Sequence, residues 1–239
     1  MQHNKHSIIL ILLAVILAGC GETDNEDHIT NVFIGGGSID TVEAKRRNYN
    51  SFVPAESIYR EEFNSSTGSI WFTGSDQWGT YSISGGVYRI TGKQNFYYPM
   101  EISPSPTANR DFQIEMYIQS DFKNVLSSNQ NQVQGMFLET GNSDRYCFGM
   151  LSNNDNPVII RRFSPTPTTD LYKGKLSSGK IDDWHLFTVR KIGNQLYFFL
   201  NKRYLYRMDG SIIRSYGPNI ANRGVVSIDW IRIDYIREQ

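Results

Sequence analysis

Few side chains in this chain could carry chemistry, and they are spaced far apart. His185 is the only histidine beyond residue 28, and Cys147 is one of two cysteines. A nucleophile–base site needs the base within hydrogen-bond reach of the nucleophile. One histidine allows one such site at most. His185 follows Trp184 at the head of an alternating stretch, so it is expected to build sheet rather than to catalyse. His185 and Cys147 alone cannot assemble a zinc site. Hydrolysis of a glycosidic bond needs two carboxylates, about 5 Å apart or somewhat wider. Glu115 lies on the polar face of one alternating run and Glu139 in another run; nothing in the sequence fixes a pairing between them. Calcium needs only oxygen ligands, and "GNSD" (141–144), "SNNDN" (152–156) and "IDD" (181–183) could supply them. Such Asn/Asp/Gly clusters are first of all turn formers. No glycine loop of the phosphate-binding kind is present, because "IGGGS" lacks a following lysine and helix.

The elements that must position these residues are strands. "DFQIEMYIQ" (111–119) alternates: Phe112, Ile114, Met116 and Ile118 share one face, Gln113, Glu115, Tyr117 and Gln119 the other. That period of two marks a strand with one buried face. "HLFTVRKIG", "QLYFFLN" and "RYLYRM" follow one another with Gly193-Asn194 and Asn201 at the turns, which reads as two consecutive hairpins over 185–208. "GVVSIDWIRIDYI" shifts its apolar phase near Trp230-Ile231, as at a bulge. "SPSPT" and "SPTPTTD" are loops, since proline cannot donate to a sheet ladder. Many short strands and no fixed repeat predict a sandwich or barrel.

The 239 residues carry no net charge, with 20% charged and 39% hydrophobic residues. That is ordinary for a globular chain. It argues against nucleic acid as a partner, which requires a basic stripe; the longest basic run is Lys45-Arg46-Arg47, read as solvated linker. The apolar run "SIILILLAVILAG" is too short for a stable bilayer-spanning helix, which needs about 20 residues. It has the length and place of a signal-peptide core. "LAGC", Leu17 to Cys20, resembles the lipobox of bacterial lipoproteins. The resemblance implies cleavage before Cys20, acylation of that residue, and anchoring to a membrane by several acyl chains. Cys147 would then stand alone, with no disulfide partner, as a buried inert thiol. "GETDNEDH" follows with four acids. Acids behind a lipidated cysteine resemble the surface-export signals of Bacteroidetes lipoproteins. The organisation expected is a signal peptide over 1–19, an acylated Cys20 and flexible tether over 20–58, and a β-sandwich over 59–239.

From "FYYPMEI" through "NRDFQIEMYIQ", "RYCFGML" and "DDWHLFTVRKIGNQLYFFLN" to "GVVSIDWIRIDYI", the chain resembles the concanavalin A-like lectin/glucanase superfamily. More narrowly it resembles bacterial laminin-G-like jelly rolls. The resemblance covers about residues 60–239 and implies two antiparallel sheets packed face to face, with a concave face that often holds glycan. It is specific for fold, not activity, because such folds carry many unrelated functions. Glucanases of the superfamily place both carboxylates on one strand in a Glu-x-Asp-x-x-Glu pattern, which this chain lacks. Sugar rings stack on amphipathic aromatics. Tyr97, Tyr98, Tyr117, Tyr146, Tyr172, Tyr204 and Tyr206 are the candidate rings, with Gln113, Glu115 and Arg161 as hydrogen-bonding partners. Trp78 is placed in the core. The reading expected is a lipid-anchored envelope protein, of the outer membrane by the lipoprotein resemblance, that binds polysaccharide or glycoconjugate without a cofactor other than, at most, calcium. The alternatives are a hydrolase or lyase on the same fold, and a structural or protein-binding component.

Overall fold

The computed structural model describes residues 41–239, except 66–69, 102–105, 108, 126–131, 153–154, 156 and 211. A short helix, α1 (Thr41–Arg47), and a 3-10 turn (Tyr49–Ser51) lead into sixteen described strands. These are β1 (Phe52–Glu61), β2 (Gly74–Ser75), β3 (Gly79–Ser84), β4 (Val87–Gly92), β5 (Phe96–Tyr97), β6 (Met100–Glu101), β7 (Phe112–Asp121) and β8 (Val133–Thr140). They continue with β9 (Arg145–Leu151), β10 (Val158–Ser164), β11 (Thr169–Gly174), β12 (Trp184–Ile192), β13 (Gln195–Leu200), β14 (Arg203–Asp209), β15 (Ile213–Ile220) and β16 (Val225–Glu238).

They form two sheets. Sheet A runs β14-β13-β12-β7-β16-β4-β3-β2, with β1 added along β16; sheet B runs β11-β10-β9-β8-β15-β5, with β6 also on β15. All pairings are antiparallel. Phe112, Ile114, Met116 and Ile118 of β7 meet Met136, Leu138, Phe148 and Met150 of sheet B in one apolar core. Side chains of this kind contribute about 1.5–3 kcal/mol each when fully buried, which is what holds the sheets together.

The two hairpins expected over 185–208 are β12-β13 and β13-β14. Gly193 sits at φ +58°, and Asn201 and Lys202 at +51° and +70°, the left-handed pair a tight two-residue turn demands. The phase change in the last strand is a bulge between Ile228 and Trp230. His185 is a satisfied sheet residue. Its Nε2 donates to the Lys180 carbonyl at 2.7 Å, so its Nδ1 accepts from Asn201 Nδ2 at 3.0 Å.

Two expectations need correction. Residues 41–58, expected as part of the tether over 20–58, are helix, turn and strand, with Phe52–Glu61 in register along Ile231–Glu238; residues 20–40 lie outside the described residues. Lys45-Arg46-Arg47 is the last turn of α1, where Arg47 bonds Glu43 at 2.8 Å. Trp78 is not a core residue. Trp71 takes that place, its Nε1 donating to Tyr59 Oη at 2.9 Å, while Trp78 is 42% exposed.

Candidate functional site

Alternation gives each sheet an outer face, and the two differ. On sheet A the outer face of β7 carries Gln113, Glu115 and Tyr117, expected to be open for ligand. The structure closes it. Glu115 is 3% exposed and Gln113 is equally buried, because Tyr49 and Phe52 cross the face above them. Tyr49 Oη donates to Glu115 Oε1, and Thr188 Oγ1 donates to the same oxygen at 3.3 Å. Arg190, wholly buried, donates through Nη2 to the Tyr49 carbonyl and to Gln113 Oε1, both at 3.0 Å. Its guanidinium lies 5.0 Å from the ring centroids of Tyr49 and Phe199. Burial depresses its pKa to about 10, which still leaves it charged at neutral pH. Tyr117 is half-buried, and its ring is stacked between Trp184 (5.3 Å) and Trp230 (5.9 Å). The ring is thus engaged with both neighbouring tryptophans within its own sheet.

Tyr146 was expected at the ligand too. It points inward from β9 and belongs to the core; burial, with the Asp144 charge beside it, pushes its phenol up to about 12. Tyr98, Tyr172 and Tyr206 also pack against the core, and Tyr204 lies on the closed face of sheet A under Arg47. Glu139 faces outward from sheet B and pairs with Arg145 at 3.1 Å. Glu115 and Glu139 thus lie on opposite outer faces of the sandwich, so they cannot act together on one bond.

Arg161 is the candidate that reaches an open site. Along β10 it shares the outer face of sheet B with Ile159 and Phe163, because Val158 and Ile160 fill the core. There, a groove of about 600 Å³ runs along the outer face of sheet B at its β5 edge. That is an ordinary ligand-pocket size. Its lining includes the aromatic rings of Trp78, Tyr97 and Phe163. Tyr97 stacks on Phe137 at 4.2 Å and 10°, with the Arg145 guanidinium 5.4 Å from its centroid, whereas Trp78, tilted against Phe96 at 6.3 Å, is the exposed ring among them. Three amides also line the groove, Asn95, Gln132 and Asn219, the last in register beside Tyr97. Val133 and Cys147 form an apolar floor. Beside it the in-register pair Gly135 and Gly149 carries no side chain, which keeps the face low.

The charges of the groove are matched internally. Arg161 bonds Asp170 through Nε at 2.5 Å and Nη2 at 3.3 Å. Asp76, the one carboxylate among the described lining residues, accepts from the Trp78 and Gly79 N–H groups at 2.7 and 2.8 Å and from Tyr81 Oη. Desolvation raises its pKa, but those hydrogen bonds and the Lys93 charge outweigh it and hold the carboxyl below its ordinary range. This Asp–x–Trp–Gly turn is what aims Trp78 at the groove. "SDQWG" carried that signal, since Asp bonding backbone two residues on is a known turn. Asn95, Gln132, Asn219 and Phe163 had no comparable signal, because only pairing across β5, β8, β10 and β15 brings them together.

Burial of Cys147 lifts its thiol to about 12 despite the nearby Arg161 charge, so it is protonated at neutral pH. Among the described residues no three of His, Cys, Asp and Glu gather to hold a metal. The sequence segments considered for calcium serve as turns where they are described: Thr140 N donates to the Asp144 carbonyl, and Lys180 N to Asp183 Oδ2. Asn153, Asn154 and Asn156 lie outside the described residues, as does Cys20.

No protein-family model and no curated protein matches the sequence. Solved structures do match the fold. Xyloglucan PUL GH43B of Bacteroides ovatus superposes with TM-score 0.53 at 11% identity, over 76% of this chain and 40% of that one. A GH43 protein of Bacillus licheniformis, BlXynB, gives 0.51 at 11% over 74% and 39%. In both the chain spans well under half of the neighbour's length. An endo-acting O-glycanase described from prominent human gut microbiota gives 0.51 at 9%, over 75% of this chain and 99% of that one. With its two antiparallel sheets packed face to face around one core, the chain has the concanavalin A-like jelly-roll fold.

Proposed function

We propose that this is a lipid-anchored protein of the bacterial cell envelope whose sandwich binds glycan in the sheet B groove and does not cleave it. One observation carries the reading: an exposed Trp78 ring and the amides of Asn95, Gln132 and Asn219 line one open groove. Aromatic faces bind the apolar side of a pyranose, and amides, with both donors and acceptors, suit hydroxyls. A glycosidase needs a second carboxylate and an acid held protonated. Asp76 is the single carboxylate among the described lining residues, and it is held ionised. The glycanase names of the fold neighbours belong to those proteins; they agree with the reading and do not carry it.

The test is direct. The full-length protein in detergent is applied to a glycan array, and reducing-sugar release is assayed on each hit. Binding without release, lost in Trp78→Ala, is expected. Release of product would replace the reading with a hydrolase, and silence on all glycans would end it. Anchoring at Cys20 is part of the proposal. Labelled palmitate should enter the wild-type chain and not Cys20→Ala, and protease treatment of intact cells should remove the sandwich if it is displayed on the surface.

A further inference from the structure

We propose that the groove selects glycans bearing an acetamido group, the N-acetyl substituent of amino sugars; this rests on the glycan reading above. The polar end of the groove is arranged as the complement of an amide. The Asn222 backbone N–H donates both to Asn95 Oδ1 at 2.7 Å and to Gln132 Oε1 at 2.9 Å. Both side-chain oxygens are thereby turned to the backbone, and both NH₂ groups point elsewhere as donors. Asn219 is set the other way. Its Nδ2 donates to the Val133 carbonyl at 2.5 Å, leaving Oδ1 as an acceptor. Two donor groups and one acceptor match a C=O and an N–H on one substituent.

The floor beside these amides is apolar. Val133 and Cys147 are each nearly buried, and Phe163 packs on them. The Cys147 thiol is protonated at neutral pH and behaves there as a small apolar group. A hydroxyl placed on that floor would lose its water and find no partner, whereas a methyl would gain from burial. The charges nearby are already matched, Arg161 by Asp170 and Asp76 by backbone N–H groups. An ionised sugar therefore meets no waiting counter-charge, while an acetamido group is polar and uncharged. Val133 joins both parts of the argument: its carbonyl orients Asn219 and its side chain lines the floor.

The experiment compares matched oligosaccharides that differ in one substituent. N,N′,N″-triacetylchitotriose, its de-N-acetylated amine and cellotriose are titrated into the full-length protein by calorimetry, beside N-acetylgalactosamine and galactose glycan pairs on the array. Within any pair that binds, the acetamido member should bind at least tenfold tighter. A buried methyl accounts for roughly fourfold of that. Gln132→Glu, which replaces a donor with an anionic acceptor, should shrink the preference below threefold while leaving the melting temperature in place. Equal or tighter binding of the hydroxyl member overturns this inference and leaves glycan binding intact. Failure of every glycan to bind removes both. A preference that Gln132→Glu leaves unchanged also overturns the assignment to this groove.

Discussion

Tyr49, from the turn after α1, hydrogen-bonds Glu115 in the middle of sheet A, and that one contact turns an apparently open strand face into an interior. Glu115 faces outward by strand alternation. It is buried because a segment 66 residues away in sequence lies over it. The same segment gives Arg190 a carbonyl partner and aromatic neighbours. A buried carboxylate near a buried guanidinium is tolerable only while both are hydrogen-bonded.

Tyr49→Phe should therefore destabilise the fold by about 1–3 kcal/mol, the usual cost of leaving a buried polar group a partner short. Urea unfolding would measure it. Glycan affinity should not change, because this face is not the groove. A stability unchanged within about 0.5 kcal/mol would show that the strap is not held by this bond.

Two aromatic substitutions separate the faces. Trp78→Ala removes the open ring of the groove and should weaken glycan binding by roughly tenfold or more, in line with about 1.5 kcal/mol for a stacked aromatic contact. Tyr117→Ala breaks the Trp184–Tyr117–Trp230 stack and should cost stability without altering affinity. The opposite pattern would move the site to sheet A.

The fold was legible because strands announce themselves locally. Alternation over 111–119 placed Phe112, Ile114, Met116 and Ile118 in the core, and Asn201 marked its turn. The ligand face was not legible, because alternation assigns a side and says nothing about what crosses it. Gln113 and Glu115 read as open for that reason. Tyr146 failed for a simpler one: its strand is apolar on both faces, so the pattern gave no phase. Arg161 was placed at an open site, and its neighbours there come from four strands that only the sheet order unites. Trp78 reads as core and Trp71 takes that place because both sit outside regular alternation, and the Asp76 turn holds Trp78 at the surface.

Cys147 should be chemically silent. Burial lifts its thiol to about 12, so at pH 8 very little thiolate exists, and the nucleophile is the thiolate. A disulfide reagent such as DTNB should leave the native protein unmodified over an hour and titrate one equivalent from this residue in guanidinium. Rapid labelling of Cys147 in the native state would mean that the groove floor opens.

Asp76 sets an acid limit for the groove. Its native pKa lies below the ordinary value of 3.8. The group therefore contributes stability above its unfolded pKa and loses that contribution as pH falls through the native one. The Trp78 turn should hold at pH 5 and loosen only below about pH 3.8. Carboxyl-carbon NMR should show Asp76 titrating below that value, with the Trp78 and Gly79 amide shifts following the same curve. A midpoint at or above 3.8 would show that the two N–H bonds do not set the turn.

Gly149 tests whether the low surface of sheet B depends on its glycines. A Cβ there would stand 2.1 Å from the Gln134 carbonyl oxygen and 2.9 Å from Val133 Cγ1. Its partner Gly135 has φ +153° and would bring a Cβ to 2.4 Å from the Phe148 carbonyl oxygen. In each case the obstacle is main chain, which cannot swing aside as a side-chain tip can. Gly149→Ala must push β8 and β9 apart, so it should cost about 3 kcal/mol, the upper end for overpacking. The strain falls beside Val133, whose carbonyl holds Asn219. Glycan affinity should therefore drop in the variant even at a temperature where it is fully folded. A folded Gly149→Ala protein with wild-type affinity would place the ligand away from the β8–β9 surface.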